Sequence, residues 1–332
     1  MNARAGGAQR ALAAVSLVAL IIFIAVAVAG GNRAAASGLW VESQSAREAG
    51  DFWTLARMRE AEPLELGRSG PGIPAAGRPE KRGKPRRVAA MAARVSTFGS
   101  DFVSVPDSTT PGFRVHGAIF VSLGIFGYGR CSGTAVRSRN ESVVITAAHC
   151  LHSGGRRGEW FASRGVFVPG YRYGQRPFGV FPVRWIDTVK GWRASGSRNF
   201  DVGAMVVGRN GRGQTLGKAV GGAGIAWNQE ANQTFDVYGY PAGELFDGET
   251  QRVCGRVPFL GHDAGSFLAP GPLNLAVTCG VTGGASGGGW MIAGGRLNSV
   301  TNYTYFDEGS PVYGSYFGKE VARLYGRAVR VR

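Results

Sequence analysis

Three short segments of the 332-residue sequence carry side chains that could share one reaction: a histidine, an aspartate and a serine, in that order. The first is Val143-Val144-Ile145-Thr146-Ala147-Ala148-His149-Cys150, a β-branched strand ending in two alanines, whose small side chains let other groups come close to the imidazole. The second is Gly283-Gly284-Ala285-Ser286-Gly287-Gly288-Gly289-Trp290. Glycine on both sides of the serine allows a sharp turn that exposes the hydroxyl and aims the amides of Gly284 and Ser286 at one spot. Two such donors can hold a developing oxyanion, each worth about 3 kcal/mol in a comparable site. The third is Asn199-Phe200-Asp201-Val202-Gly203-Ala204-Met205-Val206-Val207, an acid at the mouth of an apolar strand. A carboxylate buried there is costly unless paired, and the Nδ1–H of His149 is a suitable partner. Together the three groups read as a serine nucleophile, a proton-carrying imidazole and an orienting carboxylate, the equipment of acyl transfer.

Each segment also has a plainer reading. A histidine after a strand is often a structural hydrogen-bonder, an aspartate at a strand start is often a turn-former, and a glycine-rich loop can be a phosphate nest. A phosphate loop would add a lysine and a following helix, and neither is present. Gly284 to Gly288 also meets the G-x-S-x-G elbow of α/β-hydrolases, but that fold needs a histidine after the serine and none follows Ser286.

The elements that must position these groups read as strands. From Gly117 onward short apolar or alternating runs are bounded by Gly, Asn or Ser: residues 118–123, 132–136, 142–146, 202–207, 234–238, 273–278 and 297–305. A helical period returns only at the tail, where Val321, Leu324, Tyr325 and Val329 share one face. The expected body is all-β with a closing C-terminal helix. The 54 glycines, spread through apolar stretches, suit many short strands joined by tight turns.

Residues 32–111 form a poorly hydrophobic prosegment or linker, with a Gly/Pro-rich stretch at 67–79 and the basic run Lys81-Arg82-Gly83-Lys84-Pro85-Arg86-Arg87. Within it, residues 51–66 are expected to dock as a single amphipathic helix through Phe52, Leu55 and Met58, stopping at Pro63. Arg4 and Arg10 precede an apolar run at residues 11–31, which makes residues 1–31 a signal peptide or signal anchor and places the remainder outside the cytoplasm, secreted or tethered through residues 11–31. All four cysteines, Cys131, Cys150, Cys254 and Cys279, lie in the exported part, where two disulfides are expected and three pairings are open. No metal or other cofactor is expected: no C-x-x-C spacing occurs, and His149 with His152 has no second ligand pair. Of the net charge of +16 the body carries +11, from 24 Lys and Arg against 13 Asp and Glu, spread singly as at Arg130, Arg137, Arg164 and Arg184 and without a nucleic-acid motif, so nucleic acid is not an expected partner.

Thr146-Ala147-Ala148-His149-Cys150, the Asp201-headed strand and the loop around Ser286 resemble the trypsin-like, chymotrypsin-fold serine peptidases, whose groups come in this order. The likeness covers about residues 112–332. It is nearest to an exported bacterial subgroup related to glutamyl endopeptidases, through Phe167-Val168-Pro169-Gly170-Tyr171, Val237-Tyr238-Gly239-Tyr240-Pro241 and Thr282-Gly283-Gly284-Ala285-Ser286. The resemblance implies a double β-barrel and an endopeptidase, working as a monomer on polypeptides. His149, Asp201 and Ser286 would form the triad, with Gly284 and Ser286 as the oxyanion hole. It also implies a Cys131–Cys150 bridge, which leaves Cys254 and Cys279 for the second. The substrate pocket would be walled by Gly280, Val281 and Thr282 on one side and Ser299, Val300 and Thr301 on the other.

Two positions depart from the family pattern. Ala285 stands where an aspartate would receive a freed N-terminus, and Gly280 stands where trypsins carry an acid, so cleavage after Arg or Lys is not expected. The other reading is a catalytically silent module of the same fold that binds peptides or the cell envelope.

Overall fold

Strands with one apolar face bury it best when the sheet curls on itself, and closing the ring also removes exposed edges. The computed structural model describes residues 38–42, 44–65, 74–75, 83–90, 101–161, 163–243, 246–264, 268–305 and 311–332. The expected signal peptide or anchor, residues 1–31, lies outside these residues, and no described helix is long and apolar enough to cross a membrane.

In the first half, β1 (His116–Ser122), β2 (Tyr128–Ala135), β3 (Val143–Thr146), β4 (Val166–Pro169), β5 (Phe181–Thr188) and β6 (Gly203–Val207) pair in the order β5-β6-β3-β2-β1-β4. β4 returns to β5, Phe181 opposite Phe167, and closes the barrel. In the second half, β7 (Gly224–Trp227), β8 (Thr234–Gly239), β9 (Arg252–Pro258), β10 (Gly261–Asp263), β11 (Leu275–Val277), β12 (Gly289–Ile292), β13 (Arg296–Thr304) and β14 (Val312–Gly314) follow the order β10-β11-β14-β13-β12-β8-β9, with β7 beside β13. The end strands β9 and β10 do not pair with each other, so the second unit is a half-barrel beside the closed one, within the expected all-β, chymotrypsin-like architecture. Its edges are covered instead: Val103–Ser104 adds to β9 and Pro74–Ala75 adds to β10.

A core containing Ile119, Val144, Ile145, Phe167, Trp185, Met205, Leu297 and Val300 draws on both halves. The C-terminal helix Lys319–Ala328 buries Val321 and Leu324 against it, as the tail's periodicity requires. Arg327 Nε lies 2.6 Å from the buried Asp187 Oδ2, fixing that helix to β5.

The segment before the body is more ordered than its composition suggests. Two helices, Ala46–Phe52 and Leu55–Glu60, stand where one was expected. Ser45 and Glu48 make a reciprocal capping box for the first, and Thr54 caps the second through the Arg57 amide, so the chain breaks at Trp53-Thr54. The break turns Trp53 inward. It is fully buried, donates from Nε1 to Arg164 O at 2.7 Å, and packs with Met58 against Phe120, Val166, Val168 and Tyr171. Leu55, placed inward by a single-helix reading, is 40% exposed. Trp53→Ala is therefore expected to destabilise the protein by about 3–5 kcal/mol, read from a denaturant titration, because it leaves a large cavity beside β1 and β4.

Candidate active site

After β3 and the single residue Ala147 comes a short turn, Ala148–Cys150, that carries His149 at the barrel mouth. β3 runs antiparallel to β6 with Gly203 opposite Thr146, so the residue two places before Gly203 sits beyond the end of β3, beside that turn. This residue is Asp201, fully buried. Its Oδ2 lies 2.7 Å from His149 Nδ1, and its Oδ1 accepts from the His149 backbone amide at 2.8 Å. One carboxylate thus satisfies both the ring and the backbone of the histidine, the pairing that burial of an acid demands. Oriented to satisfy both of its ends, the Asn302 amide nitrogen donates to Asp201 O at 3.2 Å and to Val300 O at 3.0 Å.

Ser286 sits in a tight turn between 282 and 288. Ala285 N–H donates to Thr282 O at 3.3 Å and Gly288 N–H to Ala285 O at 2.8 Å. Gly284 and Gly287 take φ of +85° and +79°, conformations that a side chain would strain. A Cβ at Gly284 would also come within 2.6 Å of Tyr240 O. Among the described residues the amides of Gly284 and Ser286 donate to nothing, which leaves two free N–H groups at the serine. Free backbone donors on a rigid turn are what an oxyanion needs.

Ser132 joins the two halves of the site. Its amide donates to Ser286 O at 2.7 Å, its hydroxyl donates to Gly284 O at 2.8 Å, and the same hydroxyl accepts from Tyr240 N at 2.9 Å. The neighbouring Cys131 is bonded to Cys150, next to His149, and Cys254 is bonded to Cys279. The close grouping of Cys131, Cys150 and His149 therefore contains a disulfide and offers no thiolate to a metal. Of the other histidines, His116 is buried, stacked on Tyr238 and 3.0 Å from Thr134 Oγ1; burial holds its pKa down at about 3, the behaviour of a structural residue.

Beside Ser286 a cleft is lined by Val281, Thr282 and Gly283 on one wall and by Thr301, Asn302, Tyr303 and Thr304 on the other. This corrects the expected walls in part. Gly280 is exposed and stands outside the lining, whereas Val281, Thr282 and Thr301 belong to it. Ser299 and Val300 are fully buried: the Ser299 hydroxyl donates to Ser315 O at 2.8 Å, and Val300 joins the core. A bulge in β13 between Thr301 and Tyr303 re-aims the side chains and moves the second wall toward the end of the strand. Behind it, the buried Asp263 accepts from the hydroxyls of Tyr303 at 2.5 Å and Tyr305 at 2.8 Å, which holds the wall in place.

Comparison with solved structures places this fold among known proteases. The protease Anisep from Arthrobacter nicotinovorans is 30% identical, with a TM-score of 0.60 over 68% of this chain and 99% of its own. A thermostable serine protease, AL20, from an extremophilic microorganism is 32% identical, with a TM-score of 0.59 over 66% of this chain and 98% of its own. The chain belongs to the trypsin-like, chymotrypsin-fold serine peptidases. It is a serine-type endopeptidase. A Glu endopeptidase shares the fold at 15% identity, with a TM-score of 0.54 over 71% of this chain and 99% of its own. No family model matches the chain. A 75-residue stretch is 33% identical to an extracellular metalloprotease of Bacillus subtilis (strain 168), and it spans 23% of this chain and 22% of that relative's length.

Three residues of this peptidase's site escaped the sequence reading. Ser132 lay at the start of an expected strand, but its three backbone partnerships are long-range. Asn302 is buried beneath Asp201, and no local pattern marks it. Leu64 closes over His149, with its carbonyl oxygen 3.1 Å from Nε2. The role of Ser132 is measurable. Ser132→Ala leaves the Gly284 carbonyl and the Tyr240 amide buried without a partner, so stability is expected to fall by about 2–4 kcal/mol. The loosened turn is expected to lower kcat by about tenfold with little change in KM, since oxyanion contacts form only in the transition state; steady-state kinetics beside a denaturant titration check both.

Proposed function

We propose that the peptidase cleaves polypeptides through a Ser286, His149 and Asp201 triad, with Gly284 and Ser286 amides as the oxyanion hole. The observation that carries this reading is the doubly hydrogen-bonded His149–Asp201 pair facing a serine turn with two undonated amides. In this reading Ser286 Oγ attacks the scissile carbonyl while His149 Nε2 accepts its proton. The carbonyl oxygen moves onto the Gly284 and Ser286 amides. His149 then returns the proton to the leaving amine, and water repeats the sequence on the acyl-enzyme. Asp201 holds the imidazole in the tautomer that leaves Nε2 free to accept.

Among the described residues the body contributes no acid and no base to the pocket beside Ser286, so uncharged side chains at the cleavage site are favoured over Arg or Lys. The same reading makes the protein extracytoplasmic, in keeping with its two formed disulfides. It works as a monomer, exported and tethered or released through residues 11–31. A fluorophosphonate added to the purified protein is expected to label one site, located at Ser286 by peptide mass spectrometry. Cut sites in an unfolded protein substrate would then read out the pocket. A chain that takes no label, with residues 62–65 displaced from the cleft, would instead be a peptide-binding module.

A further inference from the structure

The chain that leaves the Leu55–Glu60 helix runs into the cleft. Pro63 keeps it extended, and Glu62–Pro63 adds as a strand to β2 in parallel register, with Glu62 opposite Gly129 and Pro63 opposite Arg130. Leu64 N–H donates to Arg130 O at 3.0 Å. The Leu64 side chain lies over Gly129, where an added Cβ would come within 2.9 Å of the leucine carbons. The Leu64 carbonyl faces His149 Nε2 at 3.1 Å. One residue further on, the Glu65 carboxyl enters the pocket beside Ser286, so close to Gly283 that a Cβ there would land on Glu65 Oε1. Upstream the segment is tethered firmly, by the buried Trp53 and Met58 and by a hydrogen bond from the buried Arg130 guanidinium to Met58 O.

This segment covers His149 and Ser286 together, yet in an arrangement that cannot react. Both ring nitrogens of His149 face groups that only accept, Asp201 Oδ2 and Leu64 O. Leu64 O thus stands against Nε2, the atom that would take the Ser286 proton, and blocks its approach. The direction of the chain is also wrong. In a productive complex the residue that fills the pocket supplies the attacked carbonyl, and the amine of the residue after it lies at the imidazole. Here the Glu65 carboxyl stands at the pocket, against Gly283, and the group at the imidazole is the carbonyl of the residue before it.

We propose that residues 62–65 are a built-in inhibitor, held across the active site in the reverse sense of a substrate, so that they block it without being cut. The proposal rests on the assignment of His149 and Ser286 above. Strand pairing and Leu64 carry the hold, because among the described residues no Lys or Arg lines the pocket to bind Glu65. Consistently, burial pushes the Glu65 carboxyl pKa up, against the opposing pull of His149.

The test compares the full chain, wild type and Leu64→Gly/Glu65→Gly, by the rate at which a fluorophosphonate labels Ser286, with thermal melting as a control for folding. The double variant is expected to label about tenfold faster or more, the shift that opening a mostly closed site produces. Leu64→Ala, which trims only a half-buried side chain, is expected to act in the same direction with a smaller effect should the double variant melt early. Equal rates in wild type and both variants overturn the inhibitor and leave the Ser286 assignment standing. Absence of label in every chain overturns that assignment and the inhibitor with it. Cleavage of the Glu65–Leu66 bond in wild type, seen by intact mass, overturns the reversed orientation.

Discussion

Ser286→Ala is expected to lower kcat on peptide substrates by about 10⁶-fold while leaving the fold intact. The size follows from what is lost: with the hydroxyl gone no acyl-enzyme can form, and His149 has no nucleophile to deprotonate. The residual rate comes from substrate binding and from the Gly284 and Ser286 amides, which the substitution retains. Stability should change little, because among the described residues the Ser286 hydroxyl makes no hydrogen bond that supports the turn. The comparison belongs on the Leu64→Gly/Glu65→Gly background, so that strap occupancy does not mask the difference. Steady-state kinetics and a melting curve on the same preparations decide it; a loss of only tenfold, with the melting point unchanged, would remove Ser286 as the nucleophile.

The second large effect is expected at Asp201. Asp201→Asn keeps the shape and can still accept the His149 backbone amide through its remaining oxygen, but it turns an NH₂ group toward Nδ1. Nδ1 must then accept, the proton moves to Nε2, and the imidazole can no longer take the serine proton. A loss of about 10⁴-fold in kcat is expected, the size found when the same exchange is made in another triad of this fold. The imidazole NMR signals offer a readout that a merely loosened structure would not reproduce, because they report which ring nitrogen carries the proton. Unchanged tautomer signals together with an unchanged kcat would leave Asp201 as a structural residue.

Much of this site was legible because its parts obey local rules. A β-branched strand ending in small residues before His149, glycines flanking Ser286 and an acid heading an apolar strand each constrain the backbone within a few residues. Their order along the chain then separates one hydrolase architecture from another. The pocket wall was not legible, because it depends on a bulge in β13 that shifts side chains by register, and register is a property of paired strands. The N-terminal segment misled for a related reason. Its composition is poor in apolar residues, but Trp53, Met58 and Ala49 bury fully once β1 and β4 supply a surface, and composition carries no information about that surface.

The sequence by itself determined the strand-rich class, the C-terminal helix and the three residues with chemistry to offer, since periodicity, turn residues and side-chain types act over short distances. Only the tertiary structure decided how they meet. It paired β3 with β6 so that Asp201 reaches both His149 nitrogens on its side, and it used Ser132 to tie the serine turn to the histidine barrel. It left the second barrel open with its edges covered by earlier chain, and it laid Leu64 and Glu65 across the cleft. These are contacts between residues tens to hundreds of positions apart. Their formation depends on the summed packing of both halves, which no local window of sequence contains.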